Sequence, residues 1–227
     1  MNPSFASMNP VRISPLFDAQ APHAATWTRI ETMQSVATFG STDAARLPLA
    51  GIGDLSFRRR AGVKGPGAAG WLNALGIATP ERPNSWLRLD DGTLVLRMGN
   101  TEYLVEDVAG GTRAATMLAT APVAGVYPVP RYDAALVIAG RNAIELTRQT
   151  CAFDFAGLSP SAQPLAMTSM VGVGVTVIAQ ENAEGRYFRL WCDGTYGGYL
   201  WTTLVEVATE LGGGAVGLDA LGRIAQP

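Results

Sequence analysis

Few side chains in this sequence belong to the types that carry out covalent or metal-assisted chemistry. The 227 residues include one histidine, His23, and two cysteines, Cys151 and Cys192. Nucleophilic catalysis needs a serine, cysteine or lysine beside a base, and a zinc site needs a cluster of cysteine and histidine ligands. His23 lies in a Pro- and Ala-rich stretch without a scaffold to hold it, and no G-x-S-x-G or C-x-x-C motif occurs. The sequence therefore predicts no catalytic residue and no metal site in this chain.

Asp90 and Asp91 are the adjacent acid pair within a predicted turn. They precede Gly92 between two alternating apolar stretches, and Asp-Gly in that position is a strong hairpin signal. A solvated hairpin tip is the favoured interpretation of the pair.

Arg58, Arg59, Arg60 and Lys64 form the one dense basic cluster. One interpretation is a solvated strand edge protected by charge. The other is a docking site for an acidic segment of a partner, because guanidinium groups bind carboxylates in a bidentate manner.

Aromatic residues concentrate in the last fifth of the chain. The group consists of Tyr187, Phe188, Trp191, Tyr196, Tyr199 and Trp201. Core packing is the favoured role for the group, but strand alternation allows only half of its strand residues to face one core. Trp191 and Trp201 are therefore the candidates for a partner interface, where tryptophan is a common anchor.

The charge and composition of the chain exclude two classes of partner. A formal net charge of −2 favours neither nucleic acid nor an anionic membrane surface. No apolar run approaches the roughly 18 residues of a membrane span. The two cysteines lie in apolar stretches with no secretory signal, which indicates buried free thiols and a cytoplasmic location.

The sequence is short of charge. Charged residues make up 16% of the chain, against roughly 25% in an average soluble domain. Two explanations stay open: an alanine- and glycine-rich composition in general, or a face covered by another subunit.

One strand–glycine–helix unit occurs twice. The segment from Arg58 to Gly76 alternates with a two-residue period up to Gly65 and then places apolar residues at helical spacing. The segment from Asp133 to Cys151 repeats this pattern around Gly140. The chain therefore uses one structural unit twice.

Other elements follow from turn and cap signals. Hairpin strands follow the first unit, and a final helix is predicted from about Tyr196 to Leu211, ended by the glycines from Gly212 to Gly214. Antiparallel hairpins interleaved with single helices favour an α+β fold over a doubly wound parallel sheet.

The chain is divided by prediction into a tail and two halves. Residues 1–25, with two Asn-Pro dipeptides and no periodicity, are expected to be flexible or to lie across a neighbouring chain. Residues 26–125 form the first half, in which 42–55 is a connection, and residues 126–227 form the second.

The succession of several segments resembles the gamma subunit family of heterotetrameric sarcosine oxidase. The segments are VKGPGAAGWLNALGI, LDDGTLVLRMGNTEYLVED, VIAGRNAIELTRQTCAFDF, AMTSMVGVGVTVIAQ and YFRLWCDGTYGGYLWTTLVEVATELGG. That family is related to the folate-binding domain of the glycine cleavage aminomethyltransferase. The resemblance implies an aminomethyltransferase-like folate-binding-domain fold built from two pseudo-repeated halves.

The resemblance also implies a role without an active site in this chain. The complex oxidises the N-methyl group of sarcosine or a related amine and uses FAD, FMN, NAD and tetrahydrofolate, none of them assigned to this subunit. The implied partners are the alpha, beta and delta subunits, and an isolated chain could pair with itself.

The alternative is a freestanding tetrahydrofolate-binding protein or one-carbon transferase. Folate enzymes of the related family use an aspartate near the position of Asp90 or Asp91 to contact the pterin, so these two residues are the cofactor-binding candidates of that hypothesis. A shared fold does not by itself carry function.

Overall fold

The computed structural model describes residues 12–224, apart from the side chain of Arg223. The strands of this part are β1 (Arg12–Ile13), β2 (Thr26–Ile30), β3 (Met33–Thr38), β4 (Gly51–Asp54), β5 (Arg60–Lys64), β6 (Ser85–Arg88), β7 (Leu94–Arg97), β8 (Glu102–Glu106), β9 (Tyr127–Pro130), β10 (Ala134–Ala139), β11 (Leu165–Met170), β12 (Val173–Asn182), β13 (Gly185–Cys192) and β14 (Gly214–Ala215). The α-helices are α1 (Phe17–Gln20), α2 (Asp43–Ala50), α3 (Ala68–Ala74), α4 (Arg113–Ala119), α5 (Ala143–Thr150), α6 (Gly197–Glu210) and α7 (Leu218–Leu221).

The strands of residues 12–224 form three sheets. A six-stranded sheet has the order β11-β12-β13-β10-β4-β14, a five-stranded sheet the order β6-β7-β8-β5-β9, and a small sheet the order β1-β3-β2. Pairing in the two large sheets is antiparallel except between β14 and β4. The architecture is therefore a mixture of helices and antiparallel sheets, as the α+β prediction requires.

The two large sheets pack face to face. Their contact layer consists of Trp86, Leu94, Leu96 and Leu104 from one sheet and Ala135, Leu165, Ile178 and Trp191 from the other. Leu72 of α3 and Met117 of α4 pack on the outer face of the five-stranded sheet. Leu146 of α5 and Leu200 of α6 pack on the outer face of the six-stranded sheet. Any polar group between the sheets is therefore shielded from solvent on both sides.

Each repeated sequence unit starts a run of strands with the same spatial order. β5 and α3 are followed by three strands that give the order β6-β7-β8-β5, and β10 and α5 by three strands that give β11-β12-β13-β10. Glycines with positive φ, Gly65 at 119° and Gly140 at 104°, join strand to helix in both units. The two runs of strands thus share one topology.

The predicted boundary at 125/126 does not separate the two large sheets. β4 precedes this boundary but pairs with β10, and β9 follows it but pairs with β5. Each stretch therefore contributes one strand to the sheet built mainly by the other.

Residues 12–25 are not a flexible tail. β1 pairs in parallel with β3, and Gln20 is buried. Ser14 Oγ and Gln20 Nε2 donate to Asp54 Oδ2 at 2.6 and 3.2 Å, which anchors this segment beside β4. The prediction is wrong here because the segment is held by polar contacts that leave no periodic pattern. Residues 1–11 of the predicted tail lie outside the described residues.

Residues 42–55 are more than a connection. They form α2 and β4, and all four residues of β4 are buried. The sequence Gly-Ile-Gly-Asp has no alternation of apolar and polar side chains, because both faces of this strand are covered. A short buried strand of this kind gives no period-two signal.

We expect Gly65→Ala to lower the free energy of unfolding by at least about 2 kcal/mol, because φ is 119° and a Cβ here would clash with the Gly125 carbonyl oxygen. Gly70→Ala is the matched control. It lies in α3, and a Cβ there meets no atom within 4 Å, so the change should be neutral or stabilising. Urea denaturation of both variants measures the difference, and equal midpoints would contradict the assignment of strain to the turn.

Candidate functional site

A carboxylate from the end of β8 lies in the layer between the two large sheets. Glu106 is 0% exposed. It accepts hydrogen bonds from Arg60 Nη1 at 3.1 Å, from Arg189 Nη2 at 2.6 Å and from Trp191 Nε1 at 2.6 Å. A third guanidinium, that of Arg58, has Nη1 3.9 Å from Glu106 Oε1. These five residues, termed the Glu106 cluster, join β5 and β8 of one sheet to β13 of the other.

The electrostatics of the Glu106 cluster fix the protonation state of its carboxylate. Burial alone would raise the pKa of Glu106, but the charges of Arg189, Arg60 and Arg58 lower it to about 2. Burial and the neighbouring charge of Arg189 lower the pKa of Arg58 to about 10. Glu106 is therefore ionised at neutral pH and has no proton to give to a substrate. The cluster is suited to holding the sheets together, not to general acid catalysis.

The predicted basic cluster divides into buried and exposed members. β5 is an interior strand, because β8 and β9 flank it. Arg58 and Arg60 are buried against Glu106, so they form neither a solvated edge nor a docking surface. Arg59 reaches the surface and binds Glu31 at 2.6 Å, and the side chain of Lys64 is 57% exposed. Partner contact by Arg59 and Lys64 stays a prediction.

Neither predicted interface tryptophan is on the surface. Trp191 is 2% exposed and lies between the sheets, where its indole N–H is bound by Glu106. Trp201 is 3% exposed and stacks on Phe39 with ring centroids 5.9 Å apart. The interface prediction is wrong for both, because each ring is enclosed by the chain's own core. Tyr196 and Tyr199 are the members of the aromatic group that face solvent.

Asp90 and Asp91 lie at the exposed tip of the β6–β7 hairpin. Asp91 Oδ1 accepts a hydrogen bond from the Thr93 amide at 3.0 Å, and Asp91 Oδ2 accepts one from Arg113 Nε at 2.6 Å. The hairpin is the turn that the Asp-Gly signal predicts. Asp91 therefore connects the hairpin to α4 through Arg113. That Asp91 contacts a folate stays a prediction.

Asp107 follows Glu106 and binds the start of α4. Its Oδ2 accepts from the Ala114 amide at 3.0 Å, while Oδ1 is buried without a hydrogen-bond partner among the described residues. Burial raises the pKa of Asp107 to about 6, although the amides of Ala114 and Arg113 oppose the shift. The folded state therefore takes up this proton at a higher pH than the unfolded state does.

We expect the stability of the wild type to rise as the pH falls from about 7 to 5, since the folded-state pKa of Asp107 is raised to about 6 from an ordinary value of 3.8. The lowered pKa of Glu106 affects stability in a different pH range. The stability that the ionised carboxylate contributes is fully present above pH 4.5 and is lost as the pH falls toward 2. Asp107→Asn should remove the rise, and Asp90→Asn should keep it. Urea midpoints measured at pH 5, 6, 7 and 8 test this, and a rise that persists in Asp107→Asn would contradict it.

The other candidate chemical groups are dispersed. Cys151 and Cys192 are buried free thiols, and burial raises the pKa of Cys192 to about 12. His23 is exposed. Within residues 12–224, no group of three or more histidine, cysteine, aspartate and glutamate side chains is placed to hold a metal ion. No helix in this part of the chain has the length and apolar content needed to cross a membrane.

A cavity of about 570 Å³ opens between α2, the β10–α5 turn and the β12–β13 hairpin. Its lining combines apolar side chains with charged ones, including Leu47, Ala143, Phe188, Arg141, Glu184 and Arg186. The volume falls within the range of small-molecule sites. Asp90 and Asp91 do not line this cavity.

Comparison with known proteins identifies the fold. No protein-family model and no curated protein sequence matches the chain. Among solved structures, the glycine cleavage system aminomethyltransferase T from Bartonella henselae aligns with a TM-score of 0.67 and 14% identity, over 95% of this chain and 62% of that one. A chain of the heterotetrameric sarcosine oxidase from Corynebacterium sp. U-96, solved with pyrrole 2-carboxylate, aligns with a TM-score of 0.63 and 18% identity, over 88% of this chain and 96% of that one.

These alignments establish a fold related to aminomethyltransferase T and to the sarcosine oxidase chain. The chain covers less than two thirds of the aminomethyltransferase T chain. At such low identity, the likeness concerns the fold alone.

The Glu106 cluster was missed by the sequence analysis, although a signal for it exists. Glu106 follows three apolar residues in Glu-Tyr-Leu-Val-Glu, and Arg189 lies among apolar residues in Tyr-Phe-Arg-Leu-Trp. A charged residue within a buried strand requires a partner of opposite charge. Pairing each charged residue of a buried strand with a residue of opposite charge in the other predicted half would have indicated the Glu106 cluster.

Proposed function

We propose that this chain is a non-catalytic, gamma-type subunit of a heterotetrameric sarcosine oxidase-like complex, with alpha, beta and delta subunits as partners. The observation that carries the proposal is the alignment over 96% of the length of a sarcosine oxidase chain, in contrast to 62% for aminomethyltransferase T. The chain is thus similar in extent to a component of such an assembly.

The geometry of the polar groups agrees with this role. Glu106 is ionised and surrounded by its own donors, and Asp91 is paired with Arg113 at 2.6 Å. In this proposal the partner subunits hold FAD, FMN, NAD and tetrahydrofolate and carry out the demethylation of sarcosine or a related N-methyl amine in the cytoplasm. This chain contributes architecture to the complex.

Co-purification tests the proposal. The tagged chain, produced in its source organism, should elute with larger flavin-containing proteins, and these should oxidise sarcosine or a related N-methyl amine. The purified chain alone should not. Oxidation of a methylated amine by the chain alone, or elution of the chain without any flavoprotein, would overturn the proposal.

A freestanding folate-binding protein is the second candidate, since the chain shares its fold with aminomethyltransferase T and contains a cavity of about 570 Å³. Calorimetry with tetrahydrofolate on the purified chain separates the two candidates. Tight binding that disappears in Asp91→Asn would favour folate binding at the hairpin. Absence of heat at micromolar concentrations would favour the architectural role.

We also propose that the chain arose from two pseudo-repeated halves, residues 26–125 and 126–227. The shared strand orders, β6-β7-β8-β5 and β11-β12-β13-β10, support this proposal. The two glycine joints with positive φ, Gly65 and Gly140, support it as well.

A further inference from the structure

A groove of about 220 Å³ beside α4 is lined by four arginines. Arg12, Arg59, Arg60 and Arg131 surround it, and no acidic side chain among residues 12–224 lines it. The remaining wall is apolar and includes Leu118 of α4 and Tyr132, the residue two positions after β9. The lining of the groove therefore contributes guanidinium groups and no carboxylate.

The carboxylates near this groove are too few to balance its arginines. Arg59 binds Glu31 at 2.6 Å, and Arg131 makes two hydrogen bonds to Asp133, at 3.0 and 2.6 Å. Arg60 donates a hydrogen bond to Glu106, and Glu106 also accepts one from Arg189. The charge of Glu106 is therefore shared between these two arginines.

Arg12 has no carboxylate within ion-pair distance among the described residues, and its Nη1 lies 3.4 Å from the Phe57 carbonyl oxygen. Partial burial lowers the pKa of Arg12, and the charges of Arg60 and Arg59 lower it further. An additional anion would relieve this repulsion.

The rim of the groove has the composition of a protein interface. Tyr132 is 72% exposed, and Leu118 is also an exposed apolar residue. Arginine and tyrosine are enriched at interfaces and among the residues that contribute most to binding. Apolar side chains beside the guanidinium groups fit a protein segment better than a bare inorganic anion.

The adjacent sheet edge is unsuited to strand addition. β9 lies at the edge of the five-stranded sheet, and two of its four residues, Pro128 and Pro130, have no amide N–H. Proline at an edge strand prevents a further strand from pairing there. Contact at this surface therefore depends on side chains.

We infer that the arginine groove binds an acidic segment of a partner protein, with a carboxylate between Arg12, Arg59 and Arg131 and an apolar side chain on Leu118 and Tyr132. The inference rests on the proposed function, because an architectural subunit needs such a contact. It differs from the docking site predicted at residues 58–64 in that Arg12 and Arg131 take the places of Arg58 and Lys64.

A labelled peptide tests the groove directly on the purified chain. Fluorescein-labelled Glu-Glu-Phe-Glu-Glu should bind, and its anisotropy should fall as salt is raised. Arg12→Gln and, independently, Leu118→Glu should each weaken binding about tenfold or more, because each removes or opposes a contact with the carboxylates. Arg148→Gln is the matched control, since Arg148 is exposed on α5 and does not line the groove.

Three outcomes would overturn the inference: equal binding of Lys-Lys-Phe-Lys-Lys, unchanged binding by both groove variants, or displacement of the peptide by inorganic phosphate at an equal concentration. Circular dichroism of each variant verifies that it is folded, and the two variants alter different walls of the groove.

Co-purification of the same variants distinguishes the groove from the proposed function. If the wild-type chain elutes with flavin-containing subunits and the variant Arg12→Gln/Leu118→Glu does not, both are supported. If the two elute equally with those subunits, the groove inference fails and the proposed function stands. If the wild type elutes alone while the peptide binds in the groove, the proposed function fails and the groove stands as an acidic-segment site.

Discussion

Glu106→Gln is expected to lower the free energy of unfolding by about 3–5 kcal/mol, the range found when one partner of a buried ion pair is removed. The side chain keeps its size, but Arg58, Arg60 and Arg189 then face each other without the carboxylate that neutralises them. Their mutual repulsion acts in a layer shielded from water, where charges interact more strongly than at the surface. Urea denaturation followed by tryptophan fluorescence and by circular dichroism measures the loss.

Glu102→Gln is the matched control on the same strand. Glu102 pairs with Lys64 at 3.1 Å near the surface, and such exposed pairs contribute about 1 kcal/mol or less. The two substitutions change the same atoms and the same formal charge, so their difference reports burial. Equal losses would show that the Glu106 cluster does not hold the sheets together.

Trp201→Ala is expected to lower the free energy of unfolding by about 3–5 kcal/mol, as for other large aromatic residues removed from a core. Trp201 packs among Leu200, Leu204 and Phe39, so its removal leaves a cavity between α6 and its neighbours. The measurement is the urea midpoint of the chain alone, because residues of this chain already enclose Trp201, which is 3% exposed.

Tyr199→Ala on the same helix serves as the control. Tyr199 is exposed, and its hydroxyl donates to the Val171 carbonyl at 3.2 Å, so the expected loss is about 1 kcal/mol or less. If Trp201→Ala instead left the isolated chain stable and abolished co-purification with flavoproteins, its burial within the chain would be wrong.

Elements with a strong local signal were predicted correctly from the sequence. The strand–glycine–helix units at residues 60–74 and 134–150 and the Asp-Gly hairpin are present. The end of α6 is also as predicted, because Gly212 has φ of 81° and the Gly213 amide donates to the Ala208 carbonyl at 2.7 Å. Each of these depends on interactions between residues close in sequence.

Features that depend on distant contacts were not predicted. Whether Arg60 lies at an edge or in the interior depends on β9, which is more than sixty residues away along the chain. The burial of Trp191 likewise depends on Leu96 and Leu104 of the opposite sheet. The arginine groove combines Arg12, Arg59 and Arg131, and no local pattern brings those three positions together.

The exchange of β4 and β9 between the two large sheets has a consequence for how this chain can be engineered. If the stretches before and after residue 125 folded independently, every strand would lie in the sheet built mainly by its own stretch. Here β4 pairs with β10 and β9 pairs with β5, so deletion of either half would leave the other with an open edge and a missing neighbour. The two stretches therefore complete each other's sheets, and the chain is expected to melt in a single transition.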